Sequence, residues 1–121
     1  DGLFEFDIRL PQRYPVVAPE VHFLTTGNGS VRFNPNLYNS GKVCLSLLGT
    51  WRGPGWEPNK STLLQVFVSI QSLILVPDPW FNEPGYEHDM GTPKGDAESE
   101  SYNQTIRAGT LRFAILEPLR R

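Results

Sequence analysis

The sequence is poor in sulfur and imidazole: it has one cysteine, Cys44, one methionine, Met90, and two histidines, His22 and His88. A single cysteine excludes a disulfide within the chain and suits a reducing compartment, which sets the expectation of a cytoplasmic protein, with the nucleus as a further compartment. No metal site is expected. Long apolar runs are also missing; none approaches the length that crosses a bilayer, and no signal-peptide pattern is visible. There is no basic block, and the net charge is −2. Nothing electrostatic therefore points to nucleic acid or an anionic membrane. Finally, no methionine opens the chain. Asp1-Gly2-Leu3 runs straight into a strand pattern, and the expectation is an excised piece of a larger protein.

What is present fits one compact domain over residues 1–121, with 39% hydrophobic and 20% charged residues. Eleven prolines and eleven glycines call for long, shaped loops between a few regular elements. Leu3 to Leu10 alternates, with Phe4, Phe6, Ile8 and Leu10 on one face and Glu5, Asp7 and Arg9 on the other. That is the period of a half-buried antiparallel strand, ended by Pro11. A second strand is expected over Glu20 to Thr25, with Val21 and Phe23 facing inward. Two such strands are marginal alone, so further strands upstream of Asp1 are expected. Ser61 to Val76 reads as the best helix, capped by Ser61 and striped by Leu63, Phe67, Ile70 and Ile74. Leu64, Val66, Val68 and Leu73 make it apolar nearly all round, as in a helix covered on more than one side. Pro77 stops it. Met90 to Ser101 reads as a solvated connection, and a last helix is expected from Glu98 to Leu116, striped by Tyr102, Ile106, Gly109, Phe113 and Leu116. Gly109 inside it marks close packing.

One stretch organises the rest: Asn34-Pro35-Asn36-Leu37-Tyr38-Asn39-Ser40-Gly41-Lys42-Val43-Cys44-Leu45. Asn39-Ser40-Gly41 favours turns and positive φ, which places Cys44 on an irregular loop. A lone cysteine there is either a small buried hydrophobe or a reactive thiolate. The loop from Gly49 to Lys60 carries Trp51 and Trp56, which are expected to pin it to the body.

Several of these residues, in order, resemble the ubiquitin-conjugating enzymes. Leu10-Pro11, Tyr14-Pro15 and Ala18-Pro19 resemble that family's proline-rich stretch after its third strand. Asn34-Pro35-Asn36 looks like its His-Pro-Asn motif, with Asn34 in place of the histidine, and Asn36 precedes Cys44 by the family interval. Trp56-Glu57-Pro58 is similar to its Trp-Ser-Pro loop, and Ser69-Ile70-Gln71-Ser72-Leu73 and Tyr102-Asn103 match the helices that follow. Within the family the chain looks most like the large conjugating enzymes of the Apollon/BRUCE type, through Thr25-Thr26-Gly27, Val31 to Tyr38 and Asn82-Glu83-Pro84-Gly85. The resemblance implies an α+β UBC-like fold, a short antiparallel β-meander backed by helices, whose amino-terminal helix and first two strands lie upstream of Asp1.

The resemblance also implies roles. Cys44 would accept ubiquitin, or a related modifier, as a thioester from an activating enzyme and surrender it to a lysine amine of a protein substrate. Asn36 would donate its amide to the oxyanion, and Glu83 would orient the lysine and take its proton. Cys44 is then expected to lie open in a shallow groove facing both groups. No cofactor is expected, ATP being consumed by the activating enzyme. Asp78 is expected to cap or brace its loop. Tyr14, Pro15, Val16, Trp56 and Pro58 fall where conjugating enzymes meet ligases, although Val16 stands in place of a phenylalanine. Two other readings compete: a non-catalytic module of the same fold that binds ubiquitin or scaffolds a ligase, and a cysteine hydrolase using Cys44 with His88 and Asn82.

Overall fold

Phe6 and Ile8 turn inward while Asp7 and Arg9 stay in solvent, which makes strand β1 (Phe6–Arg9) in the computed structural model, where all residues from Asp1 to Arg121 are described. It pairs antiparallel with β2 (Glu20–Phe23) in the register Phe6↔Phe23, Ile8↔Val21 and Arg9↔Glu20. On the exposed face Arg9 donates two hydrogen bonds of 2.6 Å to the Glu20 carboxylate. The chain then returns beside β2: Phe23 N donates to Gly41 O at 2.8 Å, and His22 bridges Lys42. The expected meander is thus two short strands and a single bridged residue. The ladder is shorter than the alternation suggested. Leu10, expected to face inward, is exposed, because Pro11 ends pairing and the chain turns away.

The core is one cluster of nine buried residues in which Phe23, Val31, Phe33, Leu37, Val43 and Leu45 meet Val66, Ile70 and Ile74. Phe33 sits edge-on to Phe4 and Phe23, with centroids 5.2 and 6.1 Å apart. Such pairs add about 0.5–1.5 kcal/mol beyond the area they bury.

Helix α1 (Leu63–Ser69) continues into a π-helical segment, Ile70–Ile74. Its cap is Thr62, not Ser61: Thr62 accepts from Gln65 N while Gln65 reaches back to Thr62 N. Ser61 instead accepts from Glu57 N. The buried stripe runs through Val66, Ile70 and Ile74, and Phe67 is displaced from it to the surface. Leu64 (70% exposed), Val68 and Leu73 are also uncovered. Apolar residues all round tell what a helix can bury; they do not tell what this chain supplies to cover it.

Helix α2 (Pro93–Gly109) begins well before the expected Glu98, since Thr92 caps it and Pro93 occupies its first turn. Most of the polar stretch read as a connection is therefore helix, its small residues Gly95 and Ser99 being the buried ones. A π-helical segment, Thr110–Leu116, and a last turn, α3 (Glu117–Leu119), complete the chain. The close packing expected at Gly109 is there: a Cβ at that position would lie 3.1 Å from Val31 Cγ1. Asp78 braces its loop to α2 as expected, accepting from Ser99 at 3.2 Å and Asn103 at 3.4 Å.

Candidate active site

Asn34 is wholly buried, and a buried amide must find partners. Its Nδ2 donates to Ile74 O at 2.7 Å, at the end of the π-helical segment. Its Oδ1 accepts from Asn36 N at 2.7 Å and from Asn82 Nδ2 at 3.4 Å. Asn82 in turn donates to Leu73 O at 2.8 Å. One side chain therefore fastens three segments: the Asn34–Leu37 turn, the end of the π-helical segment that continues α1, and the short 3₁₀ turn Pro79–Asn82 that precedes Glu83. The residue that departs from the resembled motif is the hub of the site.

Asn36 and Cys44, eight apart, hold each other twice. Cys44 N donates to Asn36 O at 2.8 Å, and Asn36 Nδ2 donates to Cys44 O at 3.0 Å. An amide nitrogen carries two hydrogens, so the second N–H of Asn36 stays uncommitted. The turn that brings the pair together uses Gly41 at φ +98°, the positive φ read from Asn39-Ser40-Gly41.

Cys44 lies on irregular backbone, as expected, but it does not lie open. The residue is only 2% exposed, packed between buried Val43 and Leu45. Turn composition says where a chain bends and not which way a side chain points; here the Val43–Leu45 segment turns into the core. Beyond it come a 3₁₀ turn, Ser46–Leu48, and the glycine-rich loop. Gly53, at φ +125°, passes so close to Ser46 that an added Cβ would lie 3.2 Å from Ser46 Cβ. No backbone group from Trp51 to Gly55 forms a hydrogen bond within the protein.

Glu83 is half-buried and makes no ion pair. It lines a cavity of about 260 Å³ with Arg32, Pro35, Trp80, Tyr86 and Tyr102. Trp80 stacks on Tyr86 at 4.7 Å, and its Nε1 is buried without a partner. Tyr102 donates to Arg32 O at 2.5 Å. Burial pushes its phenol up to about 12; Arg32 opposes the shift and Glu83 adds to it. Pro35, one residue before Asn36, forms one wall, but neither Asn36 nor Cys44 lines the cavity, so the expected facing of Cys44 and Glu83 is not met; the link runs through Asn34, which bonds both Asn36 N and Asn82. Arg32, Trp80 and Tyr86 carry no spacing signal that would have assigned them to this cavity.

The remaining expected residues divide. Trp56 pins its loop, donating from Nε1 to Pro15 O at 2.8 Å and packing 5.9 Å from the Tyr14 ring, whereas Trp51 is exposed. Tyr14, Pro15 and Trp56 thus form one surface with exposed Val16, and Pro58 is exposed nearby in sequence. Asn82 is engaged with Leu73 and Asn34, and His88 is exposed, so the hydrolase reading has no assembled triad behind it.

A short antiparallel sheet backed by helices, with a cysteine and an asparagine locked eight residues apart, defines an α+β domain. A sequence profile of the ubiquitin-conjugating enzymes matches residues 1–110. The chain is 56% identical, over 99% of its length, to the human dual E2 ubiquitin-conjugating enzyme/E3 ubiquitin-protein ligase BIRC6. It is 57% identical over its whole length to the probable ubiquitin-conjugating enzyme protein 17 of Caenorhabditis elegans. To the probable ubiquitin-conjugating enzyme E2 26 of Arabidopsis thaliana it is 55% identical over 95% of its length. The chain belongs to the ubiquitin-conjugating enzyme family, a family of transferases. It spans 2%, 17% and 21% of the lengths of these three relatives.

Proposed function

We propose that Cys44 accepts ubiquitin or a related modifier as a thioester and passes it to a lysine amine of a protein substrate. In the first step the Cys44 thiolate attacks the thioester carbonyl carried by an activating enzyme and displaces that enzyme's thiolate. In the second, the lysine nitrogen attacks the Cys44 thioester; the C–S bond breaks, and Cys44 leaves as thiolate. A thioester keeps the acyl group activated, so neither step needs a cofactor in this chain, ATP being consumed upstream. We place the reaction in the cytoplasm, with the nucleus as a further compartment.

The observation that carries this reading is the doubled Asn36–Cys44 bond, which sets an amide with a free N–H beside the cysteine. An oxyanion donor of this kind is worth about 2.7–4 kcal/mol of barrier in other enzymes. Glu83, unpaired in its aromatic cavity beside Pro35, is the group we assign to orient the lysine and take its proton. A lysine of ordinary pKa near 10.4 is protonated at neutral pH, so loss of water from that cavity on substrate entry does part of the work. Charging also requires the segment after Cys44 to move, and the loop without hydrogen bonds, Trp51 to Gly55, is where we assign that motion. As ligase-facing residues we assign Tyr14, Pro15, Val16, Trp56 and Pro58.

The burial of Cys44 favours one competing reading, a non-catalytic module of the same fold that binds ubiquitin or scaffolds a ligase. The two separate in one assay. Full-length protein with activating enzyme, ATP and ubiquitin should form an adduct that thiol reductant removes, and Cys44→Ala should abolish it. A scaffold forms none.

A further inference from the structure

We infer that Thr50 is the positioning residue for the Cys44 nucleophile, acting through the two peptide planes that flank it. This rests on the reading of Cys44 as the attacking thiol. The Thr50 residue is exposed, yet its hydroxyl turns inward and meets three backbone groups. Oγ1 accepts from Leu45 N at 2.9 Å, donates to Val43 O at 2.6 Å, and lies 3.2 Å from Leu45 O.

The peptide plane before Cys44 contains Val43 O and Cys44 N; the plane after it contains Cys44 O and Leu45 N. Thr50 holds the Val43 end of the first plane and the Leu45 end of the second. Asn36 holds the Cys44 end of both. Each plane is rigid, so fixing both sets the two soft dihedrals at Cys44 and with them the direction of its Cα–Cβ bond. Without Thr50 each plane keeps one tether and can rock about it. The thiol then samples directions in which sulfur, acyl carbon and the Asn36 donor are not aligned. Misplacements of an ångström at a reacting atom can cost as much as a hundredfold in rate.

Thr50 also stands at a boundary. The four backbone polar groups of the two planes are bonded, while the five residues Trp51 to Gly55 form no backbone hydrogen bond. The hydroxyl therefore separates the nucleophile from the motion assigned above to the loop that follows. The loop can move while the cysteine backbone stays still. The family interval from Asn36 to Cys44 does not include Thr50, and its role comes from these bonds alone.

The test is single-turnover charging of the full-length protein, with ubiquitin as the modifier and the charged activating enzyme titrated to saturation. Thr50→Val removes the hydroxyl and keeps the shape. It should lower the saturating rate roughly tenfold while leaving the half-saturating concentration of activating enzyme unchanged. Thr50→Ser keeps the hydroxyl and should recover the rate to within about twofold. Should valine prevent folding, Thr50→Ala carries the same expectation. If wild type charges and Thr50→Val charges equally fast, or Thr50→Ser is as slow as Thr50→Val, the inference is overturned alone. A wild-type protein that takes up no ubiquitin overturns the nucleophile reading and this inference with it.

Discussion

The chain on the two sides of Thr50 is held in opposite ways. Upstream, from Asn34 to Leu45, turn residues are locked by side-chain hydrogen bonds: buried Asn34 joins three segments, and the Asn36 amide and the Thr50 hydroxyl tether both peptide planes of Cys44. Downstream, from Trp51 to Gly55, the backbone forms no internal hydrogen bond and the side chains are exposed. Both stretches carry turn-forming residues, asparagine with Pro35 and Gly41 in the first and Gly53, Pro54 and Gly55 in the second, so turn signals alone do not distinguish them. What differs is whether a side chain from elsewhere arrives to satisfy the backbone. A nucleophile needs the first condition to hold its geometry and the second to become reachable from a buried start.

The largest expected effect of breaking this contrast is at its hub. Asn34→Ala leaves Asn36 N, Ile74 O and one N–H of Asn82 without their present partner, and should destabilise the fold by roughly 2–4 kcal/mol in chemical denaturation. A loss below about 1 kcal/mol would mean that the hub is not what fixes the upstream stretch.

A smaller, pH-dependent effect is expected beside it, at Tyr102. Burial raises its phenol from 10.0 to about 12, so folding favours the neutral form. Its contribution to stability is whole below pH 10 and is lost as pH climbs from 10 to about 12. The group is partly exposed, so the magnitude is small. Tyr102→Phe should flatten that part of the stability profile, and the phenolate absorbance of Tyr102 should appear late in a spectrophotometric titration. Ionisation near pH 10 would show that the cavity wall is wet.

The smallest effect is expected downstream. Arg52→Ala should change stability by less than about 0.5 kcal/mol, since the exposed Arg52 makes no ion pair and no hydrogen bond in the fold. A loss approaching that of Asn34→Ala would erase the distinction between the two stretches.

How far the sequence could be read follows the same division. The period-two strands, the apolar stripe through Ile70 and Ile74, and the demand for a small residue at Gly109 are local or periodic signals, and they appear in the structure with shifted boundaries. The Asn36–Cys44 pairing was legible because a motif carries its spacing. Asn34 was legible as a departure from that motif, but its bonds to Ile74 and Asn82 span 40 and 48 residues, a distance over which spacing carries no information. Thr50 was missed because an exposed threonine after a 3₁₀ turn has no distinguishing pattern; its function depends on which way a hydroxyl points. The burial of Cys44 was missed for the same reason. The π-helical segments were also not legible, since a step of four residues suits an α-helix as well.

The account turns on whether the Cys44 thiol, buried at rest, is reached by a local opening. Its native-state alkylation by iodoacetamide in rising, sub-denaturing urea reads this directly. A local opening exposes little surface, so the labelling free energy should stay nearly flat with urea, well below the global unfolding free energy. If it falls with the full slope of global unfolding, the thiol is reached only when the whole fold is lost, and a thioester on Cys44 of the folded protein is contradicted.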